Sequence, residues 1–156
     1  IEESYPDTLS GEEIPVFIAC EKADAYRQTM HSDELIITAD TIVWLDGLVM
    51  GKPEDEEDAR RMLRCLSGKT HQVITGVCLT TTEFQKSFAT VTDVTFAELT
   101  EEEIDYYVQK YKPMDKAGSY GIQEWIGFVG VEGITGSYFN VMGLPIQRLY
   151  KELKKL

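Results

Sequence analysis

Residues 36–53 read Ile-Ile-Thr-Ala-Asp-Thr-Ile-Val-Trp-Leu-Asp-Gly-Leu-Val-Met-Gly-Lys-Pro, a pair of apolar runs joined by Asp46-Gly47. Asp and Gly tolerate the positive φ angles of a tight turn, so the pattern predicts a β-hairpin. One carboxylate, Asp40, breaks the first run, and Lys52 closes the second. The hairpin therefore folds a carboxylate and an ammonium back toward each other, and register sets how near they come. A two-residue loop puts Lys52 across from Thr41, with Asp40 on the opposite face. A one-residue bulge puts Lys52 across from Ile42, on the face of Asp40. The sequence is compatible with both registers. Taken alone, these residues describe a strand-edge carboxylate and a solvated lysine.

The flanking segments alternate between helix and strand patterns. Ser10 and Glu13 form a capping box that opens a helix to about Gln28, with Val16, Phe17, Ala19, Cys20 and Ala23 at helical spacing. Glu21 and Lys22 fall beside that stripe, where a lysine can snorkel at the core edge. A second helix is expected over 55–66, acids first and arginines later as the helix dipole favours, with Ala59, Met62, Leu63 and Leu66 inward. Strands are expected over 72–79, interrupted at Gly76, and over 87–96. Thr100 and Glu103 cap a helix to about Lys110 whose inward face is Ile104, Tyr107, Val108 and Tyr111, and Pro113 ends it. Asp115–Gln123 is a glycine-punctuated loop, 128–134 a strand, and 136–140 a polar turn. A closing helix from Pro145 shows Ile146, Leu149, Tyr150, Leu153 and Leu156. This order predicts an α/β domain with a mixed β-sheet flanked by helices, because hairpins supply antiparallel pairs and helices supply crossovers.

At 156 residues and 43% hydrophobic, the chain (1–156) is expected to be one soluble domain. It begins at Ile1 with no Met, so an upstream segment is expected. The net charge of −12 argues against nucleic-acid or membrane-surface binding by the whole body. An anionic ligand would need a local lysine cluster or a metal. Cys20, Cys65 and Cys78 lack metal-type spacing and read as reduced core thiols of a cytoplasmic protein. No apolar run reaches transmembrane length and no signal peptide is visible. A homodimer is left open. His31 and His71 form no zinc cluster, and neither a Gly-x-Ser-x-Gly elbow nor a Walker-type loop is present. Carboxylates at Glu3 and Asp40 with lysines at Lys22, Lys52 and Lys116 suit phosphate-anhydride hydrolysis assisted by a hard divalent ion.

Specificity comes from motifs taken in order: Ala39-Asp40-Thr41, Gly51-Lys52-Pro53, Leu66-Ser67-Gly68 with His71 and Val73, Thr75-Gly76, Asp115-Lys116-Ala117-Gly118, Tyr120-Gly121-Ile122-Gln123, and Gly136-Ser137-Tyr138 through Gly143-Leu144-Pro145. Along essentially its whole length the chain resembles the Maf family of nucleoside triphosphate pyrophosphatases, also called septum-formation-inhibitor proteins. The resemblance implies an elongated α/β fold around a mixed sheet with a central cleft, related to the inosine-triphosphate pyrophosphatases. It implies cleavage of a nucleoside triphosphate between its α and β phosphates, with a divalent cation, Mg²⁺ or Mn²⁺. By motif position Asp40 corresponds to the proton acceptor and, with Glu3, to the metal-site acids. Thr41 corresponds to a specificity residue, and Lys22 and Lys52 to phosphate-binding lysines. Lys116 joins the substrate-binding set. Gln123 matches the glutamine of the branch acting on dTTP and UTP, and its amide complements the O4 acceptor and N3–H donor of uracil or thymine.

The chain also departs from the family pattern. Ala-Ser-x-Ser-Pro-Arg-Arg, with which family members usually begin, is absent, a loss of roughly thirty residues or about one strand and one helix. Its arginine is expected to contact substrate, and loss of an internal strand would expose a sheet edge. Tyr111-Lys112 stands where many members have Gly-Glu. The leading expectation is a dTTP/UTP pyrophosphatase that also admits modified pyrimidine nucleotides. The alternatives are the branch acting on 7-methyl-GTP and a non-catalytic nucleotide-binding regulator of septation.

Overall fold

Asp46 (φ 51°) and Gly47 (φ 82°) both take left-handed angles in the computed structural model, which describes residues 4–156. They close a two-residue type I′ turn between β1 (Ile36–Leu45) and β2 (Leu48–Met50). Leu45 pairs with Leu48 and Val43 with Met50, so the turn holds no extra residue and the bulged register is not adopted. Continued one step past Gly51, this register sets Lys52 beside Thr41 rather than on the face of Asp40.

β1 also pairs along most of its length with β3 (Thr70–Thr80), which pairs with β4 (Gln85–Phe96), and β4 with β5 (Val131–Thr135). The sheet order is β2-β1-β3-β4-β5, with every pairing among the described residues antiparallel. The α/β class with flanking helices is thus observed, while the parallel pairs of a mixed sheet are not among those residues. On its β2 side, β1 is covered only over Val43–Leu45, which leaves Ile36–Ile42 with β3 as its paired neighbour among the described residues.

One face of the sheet carries α1 (Glu13–Arg27), which buries Ile14, Ile18, Ala19 and Ala23. Ile14 and Ile18 pack on Ile42 and Ile74. The stripe is therefore rotated from the expected one: Ala19 and Ala23 are inward, but Val16, Phe17 and Cys20 are only half-buried. Gly76 explains the rotation. A Cβ there would lie 2.3 Å from the carbonyl carbon of Pro15 and from the amide of Val16, so the helix backbone rests directly on the strand. Gly76 does not interrupt β3, which runs unbroken through it. The expected capping box is half formed. Glu13 accepts the Ser10 N–H at 3.2 Å, but the helix N-cap is Glu12, without a side-chain bond.

The other face carries the larger core, in which Val43, Leu45, Val73, Val94 and Phe96 meet α2 (Glu56–Leu66) and α3 (Glu101–Tyr111). Ala59, Met62, Leu63 and Leu66 from α2 and Ile104, Tyr107 and Val108 from α3 are buried as their spacing requires. Full burial of such side chains contributes roughly 1.5–3 kcal/mol each. Asp55 caps α2, the Thr100–Glu103 box caps α3, and Lys112 in the left-handed region ends α3.

Three expectations near the C-terminus are corrected. Phe128–Gly130 is helical, the end of α4 (Trp125–Gly130), and the strand begins only at Val131. Gly127 permits this, since a Cβ would sit 1.7 Å from the Ile122 carbonyl oxygen. The polar turn runs into a short helix, α5 (Tyr138–Met142), capped by Ser137. In α6 (Ile146–Lys154) Leu149 and Glu152 are buried, while Ile146 and Tyr150 are exposed. Leu149 and the half-buried Leu153 pack with Val77, Leu79 and Phe88, and Lys86 of β4 and Arg148 hold Glu152 at 2.8 Å each, so an apolar contact and an ion-pair cluster together seat this helix. No helix among the described residues is long and apolar enough to cross a membrane.

Candidate active site

A cleft of about 590 Å³ lies against β1 and is lined by Lys22, Asp40, Thr41, Lys52, Lys116 and Gln123. Every sequence-predicted site residue within the described range thus reaches one concavity, although they come from α1, β1, the β2 exit and the loop after α3. Glu3, the remaining expected metal-site acid, lies outside the described residues.

Alternation along β1 divides the lining. Asp40, like Ile42, points to the α1 face, while Thr41 points to the other. On the α1 face Lys22 donates to Asp40 Oδ1 at 3.2 Å and to the Ala39 carbonyl at 3.3 Å. The side chain of Asp40 is 9% exposed and that of Lys22 28%. Lys22 therefore does more than snorkel: its ammonium meets the carboxylate at the cleft. Thr38 tethers the same helix by donating to the Ala19 carbonyl at 2.7 Å.

On the opposite face the Thr41 hydroxyl meets that of Thr75 at 2.9 Å, and Thr75 donates to the Asn140 carbonyl at 3.3 Å. The buried amide of Asn140 donates to the Val73 and Thr90 carbonyls at 3.1 and 3.0 Å, across β3 and β4. This network fixes α5 and Gly143, another lining residue, against the sheet.

Lys52 and Lys116 are brought together by the loop Asp115–Gln123. The Gly118 N–H donates to the Gly51 carbonyl at 3.1 Å, which ties the loop to the β2 exit. Gly118 has φ 72°, and a Cβ there would press Val43 Cγ2 at 2.7 Å, so this turn needs glycine both for angle and for space. Lys116 sits 3.3 Å from Asp115. That bond, with the nearby charge of Lys52, holds the Asp115 carboxyl below its usual range. Beneath the loop, His71 bonds the Tyr120 hydroxyl, and both rings pack edge-on with Phe96 at 5.3 and 4.9 Å. Gln123 is exposed at the rim.

Some contributors were not singled out from the sequence. Tyr5 and Asp115 line the cleft. Tyr107 accepts the Gly121 N–H at 3.0 Å and donates to Glu124, bracketing Gln123 from beneath. A buried tyrosine needs a partner for its hydroxyl, which is a signal in the sequence, but the partner's identity is not.

The donor set bears on metal chemistry. Among the described residues no three His, Cys, Asp or Glu side chains converge to hold an ion. Asp40 nevertheless gives the cleft a hard oxygen donor. Mg²⁺ takes only one or two carboxylates, with substrate phosphates and waters completing its shell, so the donors suit such an ion rather than a closed zinc site. A cleft with three lysines, in a chain of net charge −12, is the place where a polyanion would be tolerated.

A family model described as Maf-like protein matches residues 1–156. Among similar proteins are a dTTP/UTP pyrophosphatase of Phocaeicola vulgatus, 80% identical over all of this chain and 81% of its own length, and one of Bacteroides thetaiotaomicron, 68% identical over the same shares. A dTTP/UTP pyrophosphatase of Porphyromonas gingivalis is 54% identical over 99% of this chain and 78% of its own length. A match that runs from the first residue to the last, over motifs the fold draws into one cleft, makes this chain a member of the Maf-like protein family.

Proposed function

We propose that the protein is a cytoplasmic nucleoside triphosphate pyrophosphatase that hydrolyses dTTP and UTP to the monophosphate and pyrophosphate. The observation that carries this reading is the gathering of Asp40, three lysines and Gln123 along one cleft. The names of the similar proteins support the same substrates.

In this reading Asp40 accepts a proton from the attacking water, whose oxygen forms a bond to the α phosphorus while the bond to the bridging oxygen breaks and pyrophosphate leaves. Lys22, Lys52 and Lys116 offset the triphosphate charge, and a phosphate that draws Lys22 away weakens the hold of that ammonium on the carboxylate. Asp40, with Glu3, would hold Mg²⁺ or Mn²⁺, which when bound neutralises phosphate charge and acts as a Lewis acid. Gln123 presents its amide to the O4 and N3–H edge of the pyrimidine.

The test is release of pyrophosphate from UTP by the full-length protein with Mg²⁺ or Mn²⁺, compared with Asp40→Asn. The variant is expected to lose about 10²- to 10⁴-fold in kcat while still binding UTP. Near-full turnover in Asp40→Asn would remove Asp40 as the base. A substrate panel in which 7-methyl-GTP outran UTP would overturn the role given to Gln123.

A further inference from the structure

Away from the cleft, α1 and β3 bring two thiols into contact. Cys20 Sγ, half-buried on α1, donates to Cys78 Sγ, buried on β3, at 3.4 Å. The contact is held from both ends. Below it the helix backbone rests on Gly76, two residues before Cys78 on the same face of β3. Beside it the hydroxyl of Thr38, which pairs with Cys78 across the β1–β3 ladder, donates to the carbonyl of Ala19, next to Cys20. One turn further on, Gln85 donates to Asp24 at 3.0 Å. The sulfurs have only to close from 3.4 Å to the roughly 2.05 Å of a disulfide. The bond from Cys20 and a second from Thr80 bring the Cys78 thiol down to about 7, whereas the bond to Cys78 raises that of Cys20.

We propose that Cys20 and Cys78 are an oxidisable dithiol site: a hydroperoxide converts the pair to an intrachain disulfide that ties α1 to β3, and a thiol reductant reverses it. The oxidant arrives at Cys20, the half-buried member of the pair, Cys78 being buried. The Cys20 proton passes to the Cys78 thiolate and the Cys20 sulfur attacks a peroxide oxygen; the O–O bond breaks, the Cys78 thiol hands its proton to the departing hydroxide, and water leaves a sulfenic acid on Cys20 with Cys78 again a thiolate. The Cys78 thiolate then attacks the Cys20 sulfur, the S–O bond breaks, and the departing hydroxide takes a proton from solvent to leave as the second water. Each sulfur gives up one electron, and both peroxide oxygens are reduced to water. Cys65, on α2 with no sulfur partner in contact, stays a thiol.

Trypsin cleavage after Lys22, Arg64, Lys69 and Lys86 puts each of the three cysteines on its own peptide. The protein is exposed to stoichiometric hydrogen peroxide, alkylated, and mapped without reduction. The expected result is loss of two of its three thiols, a mass lower by two hydrogens, and a linked pair of Cys20 and Cys78 peptides that dithiothreitol separates. Cys20→Ser, at a half-buried position, is expected to keep its remaining thiols at the same dose. Oxygen added to Cys20 without a crosslink, a crosslink to Cys65, or three intact thiols in the unaltered protein would each overturn the proposal.

Discussion

Tyr107 ties a helix in the core to the loop at the cleft rim. Burial, then its bond to Glu124, pushes the phenol pKa up, so the hydroxyl remains a neutral donor and acceptor. Without that oxygen the buried Gly121 N–H loses its acceptor and Glu124 loses a donor, a loss of about 1–3 kcal/mol. Tyr107→Phe is expected to be destabilised by that amount. Because Gln123 lies between the two freed positions, KM for UTP should rise several-fold with kcat less affected. Urea unfolding and steady-state kinetics check the two halves, and an unchanged KM would mean that the loop is held elsewhere. The helical spacing of α3 was enough to turn Tyr107 inward. The partners of its hydroxyl lie 14 and 17 residues away, beyond any local pattern.

At the scale of elements, the seat of α1 on the sheet decides the most. The helix brings Lys22 to Asp40 and Cys20 to Cys78, and both contacts depend on the missing side chain at Gly76. Gly76→Ala would drive a methyl group to 2.3 Å from backbone atoms that cannot rotate away, so the helix must shift. The expected cost is about 1–3 kcal/mol or more, as for other overpacked cores. Weaker UTP binding should accompany it, because Lys22 moves with the helix. Thermal melting and a binding titration test this, and a variant as stable as the parent would show that the interface is softer than its contacts imply. From the sequence, Gly76 reads as a break in a strand. Only the helix lying across it reveals why no larger residue fits.

Over the whole molecule, two buried groups, His71 and Glu152, carry the largest shifts among those that respond to acid. His71 is desolvated and its pKa falls from 6.5 to about 4. Its neutral form is the folded one, so the stabilisation is complete above 6.5 and drains away as pH falls toward 4, on the order of 3 kcal/mol in all. Glu152, bonded by Lys86 and Arg148, falls from 4.5 to about 2, so the seat of α6 is secure above 4.5 and loosens between 4.5 and 2. Unfolding midpoints in urea should therefore decline in two stages on acidification. His71→Gln should flatten the upper stage and leave the lower one, and a parent profile flat from 6.5 to 4 would contradict the assignment to His71.

The sequence by itself determined the elements whose cause is local. The Asp46-Gly47 turn needs only residues that accept positive φ, and α2 and α3 need only apolar spacing and caps. It also carried Lys22, Asp40, Thr41, Lys52, Lys116 and Gln123 through the order of its motifs, because the fold draws those motifs to one cleft. Tertiary structure decided what depends on distant partners. The plain register of the hairpin, with Val43 across from Met50 and Asp40 and Thr41 on opposite faces of β1, follows from the whole ladder and not from the turn dipeptide. The rotation of α1 and the seat of α6 on β3 and β4 follow from close packing against chain remote in sequence. Close packing is a property of surfaces brought together, and no single segment encodes the surface it will meet.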